Sequence, residues 1–214
     1  MSLINSSKFN PDCRDCPRLA GFLDQVAVKH PDYHARPVAP FGDDNARLLI
    51  VGLAPGMHGA NATGRPFTGD HAGILLYQTL HRYGFASAPE SVSADDGLEL
   101  INCCITNAVK CLPPQNKPVG AEINQCRDFL SAELDDFRSG GVVLALGSIA
   151  HKSVVAGFGL RQREAVFGHA AEHRMPRGIT LIDSYHCSRY NTQTRRLTTP
   201  MFEQVFARAS EMLG

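Results

Sequence analysis

Residues 52–73, GLAPGMHGANATGRPFTGDHAG, follow the apolar run Arg47-Leu-Leu-Ile-Val51 and lead into a segment of helical character. A glycine-rich turn at a strand-to-helix junction commonly holds a ligand. This one is not a P-loop, which needs a Lys-Ser/Thr pair after its last glycine. Nor is it a dinucleotide turn, which needs the G-x-G-x-x-G spacing directly after the strand. It offers instead a rigid Ala54-Pro55-Gly56 corner, then Asn61, Arg65, Phe67 and Asp70: an amide, a cation, a ring and a carboxylate. That set suits a flat polar ligand better than a pyrophosphate. Two further polar loops follow apolar runs. TNAVKCLPPQNKP spans residues 106–118, and SYHCSRYNTQTRRLT from residue 184 places His186 two residues beyond a strand end.

Seven cysteines are present. Cys13 and Cys16 form a C-x-x-C near the start, while Cys111 and Cys126 flank the loop LPPQNKPVGAEINQ. One local pair with two distant ligands would tie an N-terminal arm to the body of the protein. The spacing alone leaves open a redox dithiol, a chance pair and a four-thiolate centre, and Cys103, Cys104 and Cys187 compete as partners. Zinc and a [4Fe-4S] cluster both accept four thiolates.

These loops need a scaffold. Apolar runs bounded by turn residues predict strands over 47–53, 100–109, 141–146 and 179–184, alternating with helices over 73–83, 121–137, 148–157 and 200–212. Continuous hydrophobicity in LLIVGL and VVLALG means strands buried on both faces, hence a mainly parallel sheet between helices, an α/β/α sandwich. The 214 residues read as one domain, with 1–40 an arm and 30–45 an irregular crossing containing three prolines. In such a sheet the ligand sits where the strands' carboxyl ends release their loops.

Composition bounds the partners. The formal net charge is zero, which excludes a purely electrostatic nucleic-acid binder. Local basic stretches remain: Arg189, Arg195 and Arg196 lie together without an acid, and residues 151–177 hold five Lys/Arg against two Glu. Such a stretch is either a phosphate-tracking surface or a solvated face. No apolar stretch approaches the roughly 20 residues that span a bilayer, and the polar start MSLINSSKFN lacks a signal-peptide core, so a cytoplasmic protein is expected. A monomer is the default expectation.

The three loops together resemble the uracil-DNA glycosylase superfamily, and most closely its iron–sulfur type, family 5. GLAPG, GxN and TGRPFTGD match from Gly52 to Asp70, followed by the cysteine-bearing loop and the histidine loop. The resemblance implies a three-layer α/β/α fold, a [4Fe-4S] cluster on Cys13, Cys16, Cys111 and Cys126, and excision of deaminated bases (uracil, with hypoxanthine and xanthine as further candidates) from DNA. Three departures stand out. The histidine loop begins His186-Cys187-Ser188 where His-Pro-Ser is common. Asn107 occupies the position of a uracil-reading asparagine in family 4, and Leu53 stands where that family has a glutamate.

Breaking an N-glycosidic bond produces a cationic sugar and an anionic base, so charge on the leaving base must be neutralised and a water positioned. His186 is the candidate donor to the base oxygen, the alternative being a capping or core histidine. Asp70 orients water or faces the sugar cation, and Thr68-Gly69-Asp70 before a helix is equally a good N-cap. Asn116 either orients water or makes a turn between Pro114 and Pro118. A flipped base needs an aromatic floor and an amide. Phe67 would be the floor unless it is plain core, and Asn107 would read the base edge. Gly52, Leu53, Ala54, Gly56 and Asn61 would complete the slot. Arg189 and Tyr190 would enter the vacated stack while Arg195 and Arg196 hold phosphates, with a surface role as the alternative. Two rival functions stay open: an iron–sulfur DNA-binding redox module without turnover, and a hydrolase of free nucleosides.

Overall fold

The computed structural model describes residues 8–214. The polar start read from MSLINSSKFN therefore falls mostly outside the described residues, as does the beginning of the arm at 1–40. In chain order the elements are α1 (Pro17–Lys29), β1 (Phe41–Gly42), β2 (Leu48–Gly52), α2 (Ala60–Thr63), α3 (His71–Arg82), β3 (Cys103–Asn107) and α4 (Gly120–Asp136). Then come β4 (Val142–Leu146), α5 (Ser148–Gly157), β5 (Glu172–Arg174), β6 (Thr180–Ser184), α6 (Arg189–Gln193) and α7 (Thr199–Leu213).

The strands form one sheet in the order β1-β3-β2-β4-β6-β5. The four inner strands are parallel, and the two short edge strands run antiparallel to their neighbours. Every residue of β2, β3 and β4 is buried, as their unbroken apolar runs require of strands covered on both faces. Alternate residues divide between two cores. Leu48 and Ile50 of β2 point toward Leu76, Tyr77, Phe202 and Phe206 of α3 and α7. Leu49 and Val51 point toward Leu130, Leu134 and Val154 of α4 and α5.

A third, smaller core holds the arm. Leu19, Leu23 and Val26 of α1 meet Val109, Leu112, Cys111 and Cys126. The arm contains a helix that was not among the expected elements, written in the i, i+4, i+7 spacing of those three residues after Pro17 at its first turn. The edge strands β1 and β5 were not expected from the sequence. Their two and three residues are too short for any alternation to register. Among the described residues no helix is long and apolar enough to cross a membrane.

One ion pair lies inside the α4 side of the sandwich. Lys110 and Glu133 are both fully buried, with Lys110 Nζ 2.7 Å from Glu133 Oε1 and donating to Thr106 Oγ1 at 2.6 Å. Burial pushes the Glu133 carboxyl up, and Lys110 opposes this. Removing one partner leaves a buried charge without compensation, whereas replacing both with apolar groups does not. Glu133→Ala is expected to lower unfolding free energy by about 3 to 5 kcal/mol in urea titrations, and the double variant Lys110→Met/Glu133→Leu to recover most of that loss.

Candidate active site

The chain steps from β2 to β3 on one side, then crosses to β4 on the other, so the sheet order reverses between β2 and β4. A crevice opens outside the carboxyl ends of strands at such a point. Here it is a cavity of about 810 Å³. Leu53 and Ala54 come to it from β2, Asn107 from β3, Leu146 and Gly147 from β4, and Tyr185 and His186 from β6.

The floor is set by close approaches that only glycine permits. A side chain at Gly52 would put its first carbon 2.4 Å from Asn107 Oδ1 and 2.7 Å from the Phe67 ring. One at Gly73 would stand 1.9 Å from the Phe67 carbonyl oxygen. Phe67 itself has φ of 55°, a left-handed conformation that costs a bulky residue of order 1 to 3 kcal/mol and tends to mark functional sites. Its ring lies 6.0 Å from the His186 ring, at 27° between planes.

Asp70 takes the N-cap position that its sequence context offered, and its side chain also faces the cavity. It caps α3 by accepting from the Gly73 amide at 2.8 Å, and it lines the cavity. Gly59 leaves space for it, since a side chain there would come 2.6 Å from Asp70 Oδ2. Burial raises the Asp70 carboxyl above its ordinary value, against the lowering effect of the Gly73 and Ala72 amides and the His71 charge. Asn116 lines the cavity from an exposed turn in which it and Gln115 are both left-handed. Asparagine tolerates that conformation better than most residues.

Several buried polar atoms here have no protein partner: Asn107 Oδ1, His186 Nδ1 and His71 Nδ1, all on residues that line the cavity. Such atoms are costly unless something in the cavity satisfies them. Desolvation alone brings His186 down to about 4, so the imidazole is neutral at neutral pH. Its backbone is held by Asn191, whose Nδ2 donates to the His186 carbonyl at 2.8 Å while Ser188 caps α6.

Of the residues singled out in the sequence, Asp70, His186, Asn116, Leu53, Ala54, Gly56, Phe67, Asn107, Arg189 and Arg196 meet at this cavity. Gly52, Asn61, Tyr190 and Arg195 do not line it. Gly52 acts by its missing side chain. Asn61 is fully buried in α2, its carbonyl taking the Ala35 amide, because that short helix turns its side chain inward. Tyr190 is 70% exposed and Arg195 is exposed on the same loop. Arg65, grouped above with the polar ligand set, is instead committed to the interior. It bonds Thr68 and Asp96 and lies 4.8 Å over the Phe41 ring. The sequence reading missed His58, Phe167, Tyr185 and Asn191 in the cavity wall. Tyr185 and Asn191 were legible as neighbours of His186, whereas Phe167 comes from a loop remote in sequence. Arg196 stacks 4.8 Å over Tyr185.

The four cysteines gather elsewhere, around a small pocket between α1, the end of β3 and α4. None of them forms a disulfide. Burial raises Cys16 to about 11 and Cys111 to about 12, with the charges of the other three sulfurs reinforcing the shift at Cys111.

A group whose native pKa is depressed contributes stability above its unfolded-state value and loses it as pH falls. Wild-type stability should therefore decline from about pH 6.5 toward about pH 4 through His186, which binds a proton only when the chain unfolds. Nitrogen-15 imidazole spectra should show His186 neutral above about pH 5 and protonating only toward about 4, and a resonance titrating at 6 or above would contradict this burial.

The model of the Uracil DNA glycosylase superfamily matches residues 39–210. A Type-5 uracil-DNA glycosylase of Thermus thermophilus is 46% identical over 207 residues, covering 94% of this chain and 94% of that protein. A Type-5 uracil-DNA glycosylase of Pyrobaculum aerophilum is 41% identical over 207 residues, 95% of this chain and 90% of its own length. A Type-4 uracil-DNA glycosylase of Archaeoglobus fulgidus is 30% identical over 179 residues, 81% and 80% respectively. With its three polar loops gathered at the switch point of the sheet and its sequence matched over nearly its whole length, this chain belongs to the uracil-DNA glycosylase superfamily.

Proposed function

We propose that this protein is a monofunctional DNA glycosylase that takes uracil out of the DNA stack and hydrolyses its N-glycosidic bond, leaving an abasic site. The observation that carries this reading is the stacking of Phe67 beside a neutral His186 in a cavity where Asn107 Oδ1 and His186 Nδ1 lack partners. A flat heterocycle rich in amide groups supplies both the ring face and the missing hydrogen bonds.

In the reaction the flipped base stacks on Phe67 and is read by Asn107. As the bond to the sugar lengthens, negative charge accumulates on the base oxygen and a neutral His186 donates a hydrogen bond to it. Neutral imidazole serves as an electrophile because it needs no prior protonation at neutral pH. Asp70 faces the oxocarbenium-like sugar, its carboxylate held by the α3 amides, and with Asn116 orients the water that attacks the anomeric carbon. That water leaves its hydroxyl on the sugar, and its proton balances the departing base anion. None of the described cavity-lining residues is a lysine, so the site offers no side-chain amine for Schiff-base formation with the sugar. Leu53 supplies no carboxylate, which leaves Asp70 as the acidic group of the loop.

Hypoxanthine and xanthine are further substrates within this reading, since the cavity exceeds a single pyrimidine. Arg189 and Arg196 line its mouth and are suited to DNA phosphates, with Tyr190 and Arg195 on the same loop as secondary contacts. A redox sensor has no use for a desolvated histidine facing an aromatic floor, and a free-nucleoside hydrolase has no use for the arginine loop.

The cysteine cluster bears on the metal. Cys13, Cys16, Cys111 and Cys126 all line one small pocket, and four thiolates there would suit a [4Fe-4S] cluster, with zinc as the alternative occupant. When bound, the cluster supplies structural cross-linking of the arm at 1–40 to the loop that carries Asn116. The protein is read as a cytoplasmic monomer of one domain.

His186→Ala is expected to cut the rate of uracil release from an oligonucleotide roughly 10²- to 10³-fold, with Asp70→Asn also strongly impaired. Retention of wild-type rates in both would remove the mechanism. Arg189→Ala should weaken DNA binding and reduce the slope of log K against log salt by about 1. Elemental analysis of anaerobically prepared protein should find iron and sulfide rather than zinc, both lost in Cys111→Ser.

A further inference from the structure

Asp183 is the penultimate residue of β6, fully buried and three residues before His186. Its carboxylate is approached from both sides. Oδ1 lies 2.7 Å from His151 Nδ1 on α5, Oδ2 lies 3.2 Å from His173 Nε2 on β5, and the Gly168 amide donates to Oδ2 at 3.3 Å. The other nitrogen of His151, Nε2, is 3.0 Å from the Ala165 carbonyl oxygen. A carbonyl oxygen only accepts, so Nε2 carries a hydrogen. An ionised carboxylate also only accepts, so Nδ1 carries one as well. An imidazole with hydrogen on both nitrogens is a cation.

The segment that bonds Asp183 also carries part of the cavity wall. Backbone bonds from Ala170 to the Asp183 carbonyl (2.8 Å) and from Asp183 to the Ala171 carbonyl (3.0 Å) lay the segment 165–171 along β6. Its two rings pack on Tyr185, with His169 stacked at 5.0 Å and Phe167 at 6.2 Å. The Tyr185 amide donates to His169 Nδ1 at 3.2 Å, and the His151 ring meets Phe167 edge-on at 5.6 Å. Tyr185 adjoins His186, and Phe167, Tyr185 and His186 all line the cavity.

We propose that His151 and Asp183 form a buried imidazolium–carboxylate pair that acts as a positioning device, with His173 as second donor, setting Tyr185 and His186 for base excision. This rests on the glycosylase reading above. The three side chains also place one ligand atom each within 4.8 Å of one another, which makes a divalent cation the competing occupant. The 2.7 Å contact is of hydrogen-bond length, whereas a tetrahedral zinc with ligands at about 2.0 to 2.1 Å would hold that nitrogen and oxygen about 3.3 Å apart.

The titratable and charged groups acting on His151 are Asp183 from β6, His173 from β5 and Lys152 from its own helix. Burial lowers its pKa, but the Asp183 hydrogen bond and charge and the Ala165 carbonyl outweigh burial and the neighbouring Lys152, so the net shift is upward. Stabilisation by the pair is therefore complete below the unfolded value of 6.5 and is lost as pH rises through the higher native value.

The test compares the full-length wild type with Asp183→Asn, His151→Gln and His173→Gln. In nitrogen-15 imidazole spectra at neutral pH, wild-type His151 should show both nitrogens protonated and become neutral in Asp183→Asn. A neutral wild-type His151 would overturn the proposal, as would one equivalent of zinc in the wild type that Asp183→Asn abolishes. In uracil-release assays under conditions where circular dichroism shows the variants folded, Asp183→Asn should lower kcat roughly 10- to 100-fold with KM changed by no more than about threefold. His173→Gln, which keeps an amide donor for Oδ2, should stay near wild type. Unchanged kcat per folded molecule in Asp183→Asn would sink the positioning role. A wild type that releases no base would instead refute the glycosylase reading, and the spectra would still decide the pair.

Discussion

The site depends on the contact made possible by the missing side chain of Gly52. Asn107 Oδ1 and the Phe67 ring both occupy space that a methyl group there would invade, at 2.4 and 2.7 Å. Through that contact an amide from β3 and a ring from the β2 loop become neighbours, although 40 residues separate them. The Phe67 backbone is held in a left-handed turn against Gly73, and its ring lines the cavity while also packing against Gly52 of the sheet and the α3-side core. Local strain of this kind persists because the surrounding core determines it, and here that core includes Leu76 and Tyr77 of the helix that Asp70 caps.

Burial then chooses protonation states. His186 sits beside Phe67 without a carboxylate partner, so desolvation acts alone and keeps it neutral. His151 is at least as deeply buried but faces Asp183 and a carbonyl, so the same desolvation is outweighed. Two histidines at one end of the sheet are thus driven in opposite directions by whether a carboxylate is within reach. The neutral one can donate to a leaving base, and the charged one braces the wall next to it.

The strand and helix pattern was readable because five-residue apolar runs such as LLIVG and VVLAL cannot be exposed, and because Asp70 and Thr198 stand where helix caps are needed. Helix α1 was equally readable from Leu19, Leu23 and Val26, but the arm was read from its cysteines alone and no helix was assigned there. The edge strands were not, since β1 and β5 have too few residues for a pattern and exist only because their neighbours offer free backbone groups.

By itself the sequence determined which residue types stand at a strand end or in the loops beyond the strands: the ring at 67, the carboxylate at 70, the amide at 107 and the imidazole at 186. Those follow from local order along the chain. Tertiary structure alone decided which of them share a cavity. Asn61 and Arg65 look like their neighbours in the sequence, yet one turns into α2 and the other is consumed by Asp96 and Thr68. It also decided that Phe167 and Asp183 support the histidine loop. The reason is physical: spacing along a chain fixes only the direction of nearby side chains, whereas desolvation and long-range hydrogen bonding depend on atoms supplied by segments remote in sequence.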